Sequence, residues 1–146
     1  MITLASALEL KKAGLRWQPR NLDFFVIPDR DMDARVFVIS DMLVTVDIIQ
    51  GRQVVSFQGA SEWALDSLVT SDAVWIPRED QLRDILEAAL IEGGRPEITL
   101  NSSLRGYRCK IRFSGKEMVY EHADASEAYA AALLFLLGTQ SQGAQP

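Results

Sequence analysis

Cysteine and histidine each occur only once in this sequence, as Cys109 and His122. A single cysteine excludes an internal disulfide framework. One cysteine and one histidine also cannot supply the ligands of a typical structural zinc site within one chain. The P-loop, dinucleotide-binding, G-x-S-x-G and H-E-x-x-H motifs are all missing. We therefore predict a protein that is not an enzyme, with no catalytic residue, no cofactor and no metal site.

Long apolar runs and excess positive charge are also missing. The N-terminus lacks the charged start and apolar core of a secretory signal, and the apolar segment near residue 130 is shorter than the roughly 20 residues of a membrane span. We expect a cytoplasmic protein. The net charge of -5 disfavours nonspecific binding to nucleic acid, so nucleic acid is not an expected partner.

The clearest pattern present is a β-hairpin over residues 107–122. Apolar and basic residues alternate up to Phe113, and Ser114-Gly115 then provides a two-residue turn. If Phe113 faces Lys116, arginines face glutamates on one side of the hairpin and apolar side chains meet on the other. A shift by one residue would break both matches, so the sequence predicts the register of the pairing.

A helix over residues 125–137 should follow this hairpin. Asp124 and Glu127 have the spacing of a capping box, and Gly138 is the predicted stop. The helix has almost no polar face, so more than one side of it must be covered. The sheet can cover one side, and either the rest of the chain or a second subunit must cover the other. We expect association, as a dimer or with another protein, at residues 133–137 or at an adjacent sheet edge.

The rest of the chain shows shorter signals. Hydrophobic periodicity, caps and breakers predict helices over residues 3–13, 60–69 and 79–92, and strands over 24–27, 36–39, 42–49, 54–57 and 97–103. Residues 73–76 should form a buried strand or an extended connector. The expected fold class is α+β: mostly antiparallel sheet, a meander plus the C-terminal hairpin, with three to four helices packed on it. Residues 1–138 should form one domain and residues 139–146 a flexible tail.

Six residues are candidates for binding a partner: Arg108, Lys110, Arg112, Trp17, Leu133 and Phe135. The three basic residues share one face of the hairpin, close to Arg105 and Tyr107, and could contact RNA or a phosphate. Glu117 and Glu121 on the opposite strand should neutralise much of that charge, so a solvated face is the better interpretation. For Trp17 we favour a side chain that folds back over the edge of the core.

Three further groups bear on possible chemistry. In the predicted register His122 faces Tyr107 and could act as an acid or base only with a partner from another element. Cys109 lies on the apolar face of its strand, where a thiol is usually buried. Aspartates alternate over residues 29–33 as in a calcium loop, but the glycine and the closing glutamate of such a loop are missing. We therefore predict a solvated hairpin loop there.

The segments "WALDSL", "VWIPREDQLRDIL" and "YRCKIRF-SG-KEMVYEHADASEAYAAALLFLL" resemble a group of small, uncharacterised bacterial and phage-type α+β proteins, some of which carry a pilus-assembly label. That resemblance implies a fold and no catalytic residue. We predict a non-enzymatic binding or accessory protein that acts through self-association or a protein partner, with a link to pilus assembly. One alternative is an RNA-binding or antitoxin-like regulator, because the strands followed by a helix at the end of this chain look broadly like such modules in architecture. The other alternative is a small hydrolase using His122.

Overall fold

A computed structural model of the chain describes residues 1–28, 35–40, 44–57, 67–92 and 97–143. Within these ranges the fold is α+β, as predicted. The helices are α1 (Leu4–Lys12), α2 (Glu79–Glu92) and α3 (Ala125–Gly143), with a short 3₁₀ turn at Thr70–Asp72. The strands, in chain order, are β1 (Phe24–Val26), β2 (Phe37–Val38), β3 (Val44–Ile49), β4 (Arg52–Phe57), β5 (Ser67–Val69), β6 (Val74–Ile76), β7 (Ile98–Ser103), β8 (Gly106–Phe113) and β9 (Lys116–His122).

The strands form three small antiparallel sheets, with orders β2-β1-β6, β3-β4-β5 and β7-β8-β9. The chain divides into two compact units: residues 1–15 with 77–146, called here the terminal unit, and residues 16–76, called the inserted unit. The single domain over residues 1–138 and the flexible tail over residues 139–146 remain predictions.

The inserted unit is built around a buried apolar cluster. Phe25 is fully enclosed, and its ring contacts the rings of Trp17 and Phe37 at centroid distances of 5.7 and 5.5 Å. The other buried members of the cluster are Ile27, Ile39, Val55, Leu68 and Ala73. The strands predicted as one meander are therefore divided between two sheets that share this core.

The terminal unit is organised around α3. This helix packs against α1, α2, β8 and β9, and its side chains Leu133 and Leu136 are buried. The regular apolar positions of α2 supply Leu82, Leu86 and Leu90 to the same core. Of the two ways of covering the apolar helix that the sequence leaves open, the protein's own chain supplies most of the cover, and Phe135 stays partly exposed. The apolar character of the helix therefore gives no reason by itself for a second subunit.

The C-terminal hairpin has the predicted register. Phe113 pairs with Lys116, Cys109 with Tyr120, and Tyr107 with His122. Ser114 and Gly115 both have positive φ, 51° and 77°, as a two-residue type I′ turn requires. The hairpin belongs to a three-stranded meander, because β7 pairs along the other side of β8.

Two predicted helix boundaries are wrong. The helix expected to stop at Gly138 continues to Gly143, because glycine inside a helix costs only about 1 kcal/mol and the Thr139 hydroxyl donates to the Leu136 carbonyl at 2.7 Å. Residues 67–69, expected to be helical, form β5, where Leu68 is buried opposite Val55. The remainder of that expected helix lies outside the described residues.

Among the described residues, no helix is both long enough and apolar enough to cross a membrane.

Candidate functional site

The outward side of the β7-β8-β9 sheet carries the predicted basic strip. Arg108, Lys110 and Arg112 alternate with inward-facing residues along β8, as period-two geometry dictates. Arg108 Nε lies 2.6 Å from Glu121 Oε1, and Lys110 Nζ lies 3.2 Å from Glu117 Oε1. Arg112 contacts Glu97 at 3.3 Å and Glu117 at 4.0 Å. The structure therefore brings the three candidates together, each with an acidic neighbour.

These ion pairs change what the strip can do. All of the side chains involved are exposed or half-exposed, so each pair adds at most about 1 kcal/mol to stability. Their main effect is to cancel charge, because every basic residue of the strip already faces a carboxylate. This arrangement favours the solvated-face interpretation over a phosphate-binding strip.

A cavity of about 420 Å³ opens at the end of the same sheet, where the β7–β8 turn meets the junction between β9 and α3. Most of the residues that line it are of polar or charged type: Asn101, Ser103, Arg105, Gly106, Tyr107, Arg108, Glu121, His122 and Ala123. The volume lies within the range usual for small-molecule sites. The sequence placed Tyr107 opposite His122, but it contained no signal that the turn would leave space beside them.

The turn that forms one wall of the cavity is fixed by hydrogen bonds and by a glycine. The Ser103 hydroxyl accepts from the Arg105 backbone N–H at 3.1 Å and donates to the Gly106 carbonyl at 3.3 Å. Gly106 has φ +119° and comes so close to His122 and Ala123 that a Cβ there would lie 2.6 Å from the His122 carbonyl oxygen. The wall is therefore set by backbone geometry that only glycine accommodates.

His122 lies on the rim of this cavity and is exposed. Its Nδ1 accepts a hydrogen bond from the Asp124 backbone N–H at 3.0 Å, so the neutral ring carries its proton on Nε2. The ring's partner is thus a backbone amide, and the Ser103 hydroxyl is engaged by the turn. In the part of the chain that the structure describes, no hydroxyl or thiol is hydrogen-bonded to the His122 ring as an activated nucleophile would be.

The predicted capping box forms only in part. Asp124 Oδ1 accepts from the Ser126 N–H at 2.8 Å, as an N-cap should. Glu127 does not reach back to Asp124; its carboxylate accepts from the Thr3 N–H at 2.6 Å and from the Ser6 hydroxyl at 2.7 Å. The Asp124 N–H donates to the His122 ring instead. The Glu127 carboxylate therefore connects α3 to the start of α1.

The two remaining apolar candidates are placed differently. Leu133 is fully enclosed and so is not available to a partner. Phe135 is 38% exposed and lies near the rings of Phe113 and Tyr120, each at a centroid distance of 6.4 Å. A partner at this helix would therefore meet Phe135 at the rim of the core.

Trp17 is half-buried in the inserted unit, as predicted. Its Nε1 donates to Asp23 Oδ2 at 2.9 Å, and its ring packs against the core cluster. The same carboxylate oxygen accepts the Arg20 backbone N–H at 2.9 Å. Trp17 thus closes the edge of its own core.

Cys109 is buried opposite Tyr120, and burial raises the pKa of its thiol to about 11. Because the thiolate is the reactive form, we expect less than about 1% of this thiol to ionise at pH 8. The folded protein should therefore react with a thiol reagent at least about 100-fold more slowly than the protein in denaturant. A time course of absorbance with a chromogenic disulfide checks this, and equal rates would show that the thiol is accessible.

Within the described ranges, no group of three or more histidine, cysteine or acidic side chains is arranged to hold a metal ion. The aspartates at 29, 31 and 33 lie outside those ranges.

No protein-family model, curated protein or solved structure matches the chain. The fold and site define it as an α+β protein whose C-terminal sheet combines a charge-paired outer face, a strand that in the described residues pairs on one side only, and a cavity at one end.

Proposed function

We propose that this chain is a non-enzymatic binding protein that acts through self-association or a protein partner, and that the contact forms by strand addition at the β7 edge. The proposal is supported by the outer side of β7, which is unpaired within the described residues, and by the exposure of its side chains. In the described part of the chain β7 pairs with β8 alone, and four of its six residues are exposed.

The hydrogen-bond pattern identifies the groups that β7 offers. The Arg112 N–H donates to the Glu97 carbonyl at 3.2 Å, one step beyond the Ile98–Ile111 pair. Bonded and non-bonded pairs alternate in an antiparallel ladder. The N–H and C=O groups of residues 98, 100 and 102 therefore point away from β8, towards any added strand.

The β7 edge also lacks the usual protection against pairing. Edge strands are commonly blocked by charges, proline or bulges, whereas Ile98–Ser103 contains no charged residue and no proline. By contrast, the other edge of the sheet, β9, carries Lys116, Glu117 and Glu121. An extended segment would therefore add to β7 in preference to β9.

The test replaces one outward-facing backbone donor. Ser102→Pro removes an N–H that points away from β8, so it should cost no hydrogen bond within the sheet. We expect the wild-type chain to have twice its 16.3 kDa monomer mass and Ser102→Pro to have the monomer mass, by light scattering from about 1 μM to about 1 mM, where small interfaces dissociate.

The control is Ser102→Ala, which keeps the backbone donor and should associate as the wild type does. A wild-type monomer at every concentration would overturn self-association. The protein-partner form is then tested by photo-cross-linking from position 99. Cross-linked partners that Ser102→Ala retains and Ser102→Pro loses support it, and partners that both variants retain refute it.

Pilus assembly is the setting we propose for such a partner, on the strength of the sequence resemblance. Nothing in the charge-paired strip favours RNA as a second candidate.

A further inference from the structure

We propose that the cavity at the end of the β7-β8-β9 sheet binds a small molecule through a phosphate group, with Arg105 as its principal anchor. This site is separate from strand addition at β7, since the outward backbone groups of Ile98, Leu100 and Ser102 do not line the cavity.

The charge balance in the cavity is the first argument. Arg108 is held by Glu121 at 2.6 Å, so these two charges compensate each other. Arg105 is exposed at the rim, and in the described part of the chain its guanidinium has no hydrogen bond or ion pair. Among the described residues, the charge of Arg105 is therefore the one in the cavity without an acidic neighbour, and a bound anion would neutralise it.

The hydrogen-bonding groups are the second argument. Beside Arg105, whose guanidinium has five N–H donors, the lining includes Asn101, whose side-chain amide is a further donor. A phosphate has several acceptor oxygens in a tetrahedral arrangement and can use donors from several directions. A carboxylate has two oxygens in one plane and would leave some of these donors unused.

The size of the cavity is the third argument. A volume of about 420 Å³ is much larger than inorganic phosphate alone requires and lies in the range of sites for small organic ligands. The ligand class is therefore a small phosphate ester, whose organic part would occupy the volume that the phosphate leaves free.

The probe for the test is inorganic phosphate, titrated into the isotope-labelled full chain against sodium chloride of equal ionic strength. We expect saturable shifts confined to the amides of residues 101–108 and 121–123, with a Kd of about 1 mM, as for a weakly bound fragment. Arg105→Ala should weaken binding at least about tenfold, because a hydrogen bond to a charged group is worth about 1.5–3 kcal/mol. Arg105 lies in an exposed turn, so this variant should fold.

Arg83→Ala is the matched control, since it removes an exposed arginine of α2 that is not part of the cavity; it should bind phosphate within about twofold of the wild type. The proposal is overturned if Arg105→Ala and Arg83→Ala bind alike, or if the shifts grow linearly without saturation. Tighter binding of acetate than of phosphate would refute the phosphate class. Phosphate binding and solution mass are separate measurements on the wild-type chain, so failure of strand addition and failure of this site give different results.

Discussion

Gly106→Ala is expected to lower the free energy of unfolding by about 3–5 kcal/mol. Gly106 has φ +119°, a conformation that costs a residue with a side chain about 1–3 kcal/mol. The added Cβ would also lie 2.6 Å from the His122 carbonyl oxygen and 3.1 Å from the Ala123 Cα. Both are backbone atoms, so the clash cannot be relieved by rotating a side chain, and β8 must move away from β9. Denaturant unfolding followed by circular dichroism measures the loss.

Gly115→Ala separates the two causes. Gly115 also has positive φ, +77°, but nothing lies within 4 Å of a Cβ placed there. This variant should lose only about 1–2 kcal/mol, the cost of a left-handed residue. The difference between the two variants is the cost of the close approach. Equal losses in the free energy of unfolding would mean that the backbone at His122 and Ala123 moves away from the added Cβ at little cost. The close approach at Gly106 would then not fix the cavity wall.

The order of apolar and charged residues within each segment was sufficient to predict the hairpin and α2, because the geometry of these elements is set by residues close together in the sequence. In the hairpin, Arg112 opposite Glu117 and Ile111 opposite Met118 satisfy both faces in only one register. In α2, apolar residues recur at helical spacing between a polar start and a glycine pair. Each element carries the information for its own geometry within about fifteen residues of sequence.

Long-range partners are what local pattern cannot reveal. Glu127 has the spacing of a capping box, but its partners are Thr3 and Ser6, more than 120 positions away. Leu133 looked available for association because the sequence did not show that α1 and α2 would pack beside the sheet around α3. The division of the early strands into two sheets has the same origin, because β6 joins β1 from 48 to 52 positions away.

The candidate site was predictable only in its parts. Tyr107, Arg108 and His122 were placed near one another by the register, and that placement is confirmed. The cavity itself depends on the Ser103 hydroxyl bonds and on the backbone contact of Gly106, which no periodicity encodes. Among the strands that the structure describes, β7 pairs with β8 alone. Which elements pack beside a strand is decided by the whole unit, so the sequence of β7 could not show this.

The second large effect is expected at Glu127, whose carboxylate links two helix starts. It is buried, and it accepts from the Thr3 N–H at 2.6 Å and the Ser6 hydroxyl at 2.7 Å. It also lies in the first turn of α3 and against the first turn of α1, where negative charge is favoured by both helix dipoles. Glu127→Ala should lower the free energy of unfolding by about 2–4 kcal/mol, because it removes two charge-assisted hydrogen bonds and leaves the Thr3 N–H without its acceptor.

The part of the protein that loses protection shows whether Glu127 holds α1 against α3 or only stabilises the fold as a whole. Hydrogen exchange in Glu127→Ala should accelerate most at the amides of α1, since that helix depends on the carboxylate for its docking. Glu127→Gln keeps one acceptor oxygen and should lose about half as much, whereas Glu87→Ala, an exposed position on α2, should change stability by no more than about 0.5 kcal/mol. If α1 exchanged at the wild-type rate in Glu127→Ala while stability fell, the two hydrogen bonds would not be what holds α1 against α3, and the loss would have to come from the start of α3 itself.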